Sequence, residues 1–137
     1  MYLLDTDTII YSLKGNKNIE KKLALHRYQT MKISIITLME LYYGAYKSQQ
    51  VSNNLTKVRL IEATFEVIPV KTESIGFFAQ TKAELEQQGN RIDDFDLIIA
   101  SCAIAYNLTL VSNNTKHFQR IEGLKLENWL EYGNERK

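Results

Sequence analysis

Three carboxylates stand in apolar surroundings that carboxylates normally avoid. Asp5 follows the run Tyr2-Leu3-Leu4, Glu40 is the only charged residue between Ile33 and Tyr46, and Asp96 is the only one from Phe95 through Thr115. Desolvating an ionised carboxylate is costly unless a partner compensates it. Close carboxylates also repel and raise one another's pKa, and a cation placed among them removes that penalty. Oxygen-only ligands favour Mg2+ or Mn2+ over zinc. Such an ion can activate water against a phosphodiester and offset the charge that develops on phosphorus. The three acids therefore predict a metal-dependent hydrolase. Each also has a plainer role, Asp5 as a helix cap and Glu40 and Asp96 as first-turn acids facing a helix dipole. Those roles do not explain why all three fall at matching places.

The elements around them account for the match. Tyr2–Leu4 reads as a short buried strand ending at Asp5. Thr6, Asp7 and Thr8 are cap residues for a helix over Ile9–Leu13, and a second helix spans Asn18–His26. Met31–Ile36 is β-branched and reads as the next strand. Thr37 caps a helix over Leu38–Lys47 with Glu40 in its first turn. Leu55–Ala63 is helical, and Phe65–Val70 is a strand whose Pro69 assigns it to an edge or an end. Thr72–Gln88 has a helical stripe of Ile75, Phe78, Ala79, Lys82 and Leu85, stopped by Gly89. Asp94 caps the apolar helix Phe95–Tyr106. Leu108–Val111 is a strand, Ser112–Phe118 a polar loop, Leu124–Leu126 a last short strand, and Trp129 closes the core.

Strands alternating with helices, as apolar runs, predict a parallel sheet covered by helices on both faces. Ligands in such folds sit beyond the C-terminal ends of the strands. Asp5, Glu40, Asp96 and the segment Ser112–Asn114 can all face that rim. Rival chemistries lack their motifs, since the sequence has no P-loop, GxGxxG, CxxC pair or HExxH.

Length and composition set the frame. The 137 residues suit one domain, and the 45% hydrophobic and 24% charged fractions are those of an ordinary globular protein. One domain over residues 1–132 with a frayed tail at 133–137 is expected. No apolar run approaches the ~18 residues of a membrane span, and the N-terminus lacks the pattern of a secretory signal. The single cysteine, Cys102, lies in an apolar stretch, which predicts a packed thiol and a reduced, cytoplasmic compartment. Net charge is +1, but residues 1–32 carry six basic against three acidic residues. A basic lobe beside an acidic pocket suits a polyanionic substrate cut at a metal.

The same residues carry a resemblance. Leu3-Leu4-Asp5-Thr6-Asp7, Ile35-Ile36-Thr37-Leu38-Met39-Glu40-Leu41-Tyr42-Tyr43-Gly44-Ala45, Phe95-Asp96-Leu97-Ile98-Ile99-Ala100 and Leu110-Val111-Ser112-Asn113-Asn114-Thr115-Lys116-His117-Phe118 occur in this order. Ile121-Glu122-Gly123-Leu124 and Glu127-Asn128-Trp129 follow. Together they resemble the PIN-domain ribonucleases, and within them the VapC toxins of type II toxin–antitoxin modules, over essentially the whole chain. The resemblance implies a three-layer α/β/α sandwich with a central parallel sheet and Mg2+- or Mn2+-dependent cleavage of a structured RNA, with transfer RNA as the family expectation. It also implies a VapB-like antitoxin as partner and a homodimer. Its acidic residues carry over to Asp5, Glu40 and Asp96, with Thr6, Asp94, Ser112, Asn114 and His117 as further site candidates. His117 stands where relatives often carry an acid. Ser112 keeps the hydroxyl of a common threonine, and Asp7 replaces a frequent asparagine and adds charge at the rim. The competing expectation is a non-catalytic PIN module that binds RNA or a protein.

Overall fold

A computed structural model describes residues 1–27 and 30–130. The expected tail, 133–137, lies outside them. The elements are β1 (Tyr2–Leu4), α1 (Thr6–Leu13), α2 (Lys17–His26), β2 (Met31–Ser34), α3 (Ile35–Lys47), α4 (Val51–Thr64), β3 (Glu66–Ile68), α5 (Ser74–Gln87), α6 (Asp94–Ala105), β4 (Thr109–Val111), α7 (Thr115–Phe118) and β5 (Leu126–Glu127). The strands form one sheet in the order β3-β2-β1-β4-β5, with every pairing parallel. β1 is central, in register with β2 (Tyr2 opposite Met31) and with β4 (Leu3 opposite Leu110).

Strand periodicity sends alternate side chains to opposite faces, and two cores result. Leu4, Met31, Ile33 and Val111 pack with Ile9, Ile19 and Leu23 of α1 and α2, with Leu38 and Leu41 of α3, and with Leu55, Val58 and Ile61 of α4. Leu3, Ile68 and Leu110 pack on the other face with Leu85 of α5, Leu97, Ala100 and Ala103 of α6, and Phe118. This is the three-layer α/β/α sandwich with a central parallel sheet. Trp129 is 1% exposed and closes the first core, stacked against the half-buried His26 with ring centroids 5.6 Å apart. Cys102 is buried and free. No helix among the described residues is long and apolar enough to cross a membrane.

Several boundaries differ from the sequence expectations, and three matter for the site. α1 begins at Thr6, and its cap is Asp5, whose side chain accepts from the Thr8 N–H. α3 begins at Ile35 with Ser34 as its cap, Oγ 3.1 Å from the Ile36 nitrogen, so Ile35-Ile36 is helical rather than strand and Thr37 lies inside the helix rather than capping it. Packing of Thr37, Leu38, Leu41 and Ala45 on one buried face overrides the β-branched propensity there. Glu40 consequently lies beyond the first turn and does not serve the helix dipole. α6 is capped by Asp93, not Asp94.

On α5, Ile75 is 62% exposed and Ala79 is also exposed, against the expected stripe. Phe78, Lys82 and Leu85 of that stripe do turn inward, and Ser74, Phe77 and Thr81 complete the inward face in place of Ile75 and Ala79. Gly89, with φ at 73°, ends α5. Its N–H reaches the Glu86 carbonyl at 3.1 Å, and the Asn90 N–H reaches that of Leu85 at 2.8 Å, which is the Schellman pattern.

Candidate functional site

The strand ends at the C-terminal edge of the sheet build the site. Asp5 leaves β1 with its N–H on the Val111 carbonyl of β4 at 3.0 Å, and its Oδ1 accepts from the Thr8 N–H at 2.9 Å. Ser112, fully buried just after β4, donates its hydroxyl to the Asp5 carboxylate and accepts from the Asn114 N–H at 3.0 Å. Asp5 is only 3% exposed. Burial pushes its carboxyl up to about 6 against the lowering effect of Ser112 and Thr8, and the Asp7 charge adds to the rise.

Glu40 arrives from α3. Its Oε1 lies 2.5 Å from Thr6 Oγ1, which in turn lies 3.1 Å from Thr37 Oγ1. Burial raises the Glu40 pKa, the Thr6 hydroxyl lowers it, and the charges of Asp93 and Asp7 raise it. Asp96 opens α6. Burial first, then the charges of Asp5, Asp93, Glu40 and Asp7, push its carboxyl up to about 7.

The structure thus brings Asp5, Glu40 and Asp96 within electrostatic reach of one another, with Thr6 and Ser112 as their hydrogen-bond partners. Asn114 joins them through its N–H on Ser112 Oγ, while among the described residues neither Asp94 nor His117 makes a hydrogen bond to the three acids. Asp94 is exposed and pairs with Lys82 of α5, Nζ to Oδ1 at 2.9 Å. His117 is exposed on α7, with Nδ1 3.0 Å from Asn114 Nδ2. Two residues of the cluster escaped the sequence reading. Asp93 caps α6 through Oδ2 on the Phe95 N–H at 3.1 Å while its charge acts on Glu40 and Asp96. Thr37, taken as a helix cap, is buried inside α3 and tied to Thr6. The tandem Asp93-Asp94 was the available signal for the first, and the three-residue spacing from Thr37 to Glu40 for the second.

Among the described residues, no three His, Cys, Asp or Glu side chains close on one point as they stand. The acids form an open cluster of like charges rather than a finished cage. Its donors are all oxygen, and burial first, then neighbouring like charge, make each carboxylate harder to ionise, a condition that a divalent cation relieves. The residues present therefore fit a hard divalent ion.

A doubly covered parallel sheet with acids gathered at its C-terminal rim is the architecture of a PIN domain, and the PIN domain family profile matches residues 2–124. Ribonuclease VapC2 of Rickettsia felis is 39% identical over 134 residues, spanning 94% of this chain and 98% of that protein. The tRNA(fMet)-specific endonuclease VapC of Shigella flexneri is 35% identical over 129 residues, 93% of this chain and 97% of the other. In the crystal structure of VapBC2 from Rickettsia felis bound to a DNA fragment from their promoter, the matching chain superposes with a TM-score of 0.88 at 39% identity, covering 93% of this chain and 98% of that one. The DNA-bound VapBC of Salmonella typhimurium gives 0.87 at 36% identity, with 93% and 97% covered. The chain belongs to the PIN-domain family, in its VapC ribonuclease branch.

Proposed function

We propose that the protein is the endoribonuclease toxin of a toxin–antitoxin pair, and that Asp5, Glu40 and Asp96 hold its Mg2+ or Mn2+. The observation that carries this reading is the gathering of Asp5, Glu40 and Asp96 at the C-terminal ends of the parallel strands of a PIN domain, where burial and the charges of Asp5, Asp93, Glu40 and Asp7 push the Asp96 carboxyl up to about 7. A bound divalent cation supplies a Lewis acid that lowers the pKa of water and offsets charge on the phosphate. The chain's own contribution is positional. Thr8 and Ser112 immobilise Asp5, Thr6 holds one oxygen of Glu40, and the α6 cap fixes the start of the helix that carries Asp96. Asp7 and Asp93 add charge at the rim. Residues 1–132 act as one domain, in keeping with the two cores that share a single sheet.

The substrate is a structured RNA, with transfer RNA favoured by the likeness to the tRNA(fMet)-specific endonuclease of Shigella flexneri. The partner is a VapB-like antitoxin, as in the VapBC complexes of similar fold, and the toxin works as a homodimer in the cytoplasm. An Arg of the antitoxin placed against Asp5 and Asp96 would match a carboxylate bidentately. A groove of about 410 Å3 between α1, α3 and α4 opens beside Glu40, walled by Ile10, Leu13, Leu41, Ala45 and Val58, and suits an apolar stretch of the same partner.

The test uses the purified, partner-free protein on a transfer-RNA transcript. Cleavage with Mg2+ or Mn2+ that stops on adding EDTA is expected, as is growth arrest on expression and its relief by the antitoxin. Cleavage that survives excess EDTA contradicts the metal site. RNA binding without cleavage in either metal would favour the binding-only alternative.

A further inference from the structure

We propose that Thr37 is a positioning residue of this site: its hydroxyl fixes Thr6, and Thr6 holds the Glu40 carboxylate at the acidic rim against the pull of the groove that it borders. This rests on the reading of Glu40 as a metal-holding acid. Thr37 is 0% exposed, and a buried hydroxyl requires a hydrogen-bond partner. That partner is Thr6 Oγ1 at 3.1 Å. A hydroxyl has one proton and two lone pairs. Thr6 commits its proton to Glu40 Oε1 at 2.5 Å, so it must accept from Thr37. The result is a directed chain, Thr37 to Thr6 to Glu40, that ends on a charge. Each link polarises the next.

Glu40 needs such a restraint. Its carboxylate sits on a flexible stem, half-buried, and it also lines the groove that contains Lys14 and Lys57. Neither lysine forms an ion pair among the described residues. An ammonium in that groove offers Glu40 a competing partner, away from Asp5 and Asp96. Thr37 sits three residues ahead of Glu40, on the same side of α3, so the helix itself sets the length of the latch. A purely structural Thr37 would fill space and satisfy its own hydroxyl, with no effect on Glu40.

The two roles separate in Thr37→Val, which keeps the volume and removes the hydroxyl, and Thr37→Ser, which does the reverse. The first readout is Mn2+ binding to the RNA-free protein by calorimetry, with melting temperature as the fold control. The second is kcat and KM on a transfer-RNA transcript. Thr37→Val should weaken Mn2+ binding about fivefold, the scale of one hydrogen bond between neutral groups, and lower kcat with KM for RNA unchanged. Thr37→Ser should match the wild type in both. Unchanged Mn2+ affinity in a folded Thr37→Val, or equal damage from Thr37→Ser, overturns the latch. If Thr37→Val does not fold, Thr6→Val and Thr6→Ser ask the same question at a half-exposed position, and unchanged Mn2+ affinity in Thr6→Val again overturns it. Glu40→Gln separates the two levels. If Glu40→Gln is silent, the reading of Glu40 fails and the latch with it. If Glu40→Gln is damaging and Thr37→Val silent, the latch alone fails.

Discussion

The negative charge of Asp5 is the largest charge acting on Asp96, ahead of Asp93, Glu40 and Asp7, although the two residues lie 91 positions apart in the sequence. Asp5 is held by backbone and hydroxyl donors and rises to about 6, while Asp96 rises to about 7. Two acids that cannot both ionise comfortably are the electrostatic centre of the site.

Stability of the metal-free protein should fall as pH rises from about 4 to about 8. Unfolded aspartates ionise near 3.9, while Asp5 and Asp96 in the fold keep their protons to about 6 and about 7. Within that window the folded state binds more protons, so the slope of unfolding free energy with pH is negative. The loss is about 2 kcal/mol after allowance for the partial exposure of Asp96. Urea unfolding at pH 5 and pH 8 in EDTA measures it, and equal or greater stability at pH 8 contradicts it. Added Mn2+ should reverse the trend and release protons.

Asp5→Asn and Asp96→Asn should each lower RNA cleavage about a hundredfold or more, beyond the ten- to hundredfold typical of an outer-shell partner. Both should raise metal-free stability by about 1 kcal/mol at pH 8, because a repelled charge is removed. Asp5→Ala should not share that gain, since it also deletes the cap on the Thr8 N–H, worth about 1 kcal/mol. Near wild-type rates in either Asn variant would remove that residue from the site.

Asp93 and Asp94 are adjacent and should behave differently. Asp94→Asn breaks an exposed pair with Lys82 and should change stability by about 0.5 kcal/mol or less and cleavage less than about twofold. Asp93→Asn keeps a capping oxygen but removes a charge that acts on Glu40 and Asp96. It should raise the Mn2+ concentration for half-maximal activity about fivefold, the effect of roughly 1 kcal/mol at close range. Metal titrations of both variants decide the matter, and identical curves would place Asp93 outside the site.

His117 should matter less than the three acids. It is exposed and turned to Asn114. His117→Ala should cost at most about tenfold, the low end for a proton-handling group, and by the same factor in Mg2+ and Mn2+. A much larger loss in Mn2+ than in Mg2+ would mean that the imidazole ligates the ion, since nitrogen is the softer donor.

The order of elements, the parallel sheet and the convergence of its strand ends were legible from apolar runs separated by caps and glycines. Choices between neighbouring residues were not, because tertiary contacts make them. Ser34 rather than Thr37 caps α3, since Thr37 is needed inside the helix as a buried partner of Thr6. Asp93 rather than Asp94 caps α6, since Ile92, 6% exposed, anchors the chain immediately before it. On α5 the expected stripe is right at Phe78 and Leu85, and only the packed neighbours decide that Ser74 rather than Ile75 turns inward. The resemblance offers His117 as a fourth rim position, and the fold adds Asp7 and Asp93 as charges that act on the acids.

The central place of β1 has a consequence for how the toxin comes into being. β1 gains its second neighbour late, because Leu3 must wait for Leu110 and the Asp5 N–H for the carbonyl of Val111. Pairings this distant in sequence form late, after the entropy of closing nearly the whole chain has been met. Asp5 and Asp96 therefore cannot face each other on a nascent chain until β4 has emerged and docked, and the enzyme stays inert through most of its own synthesis.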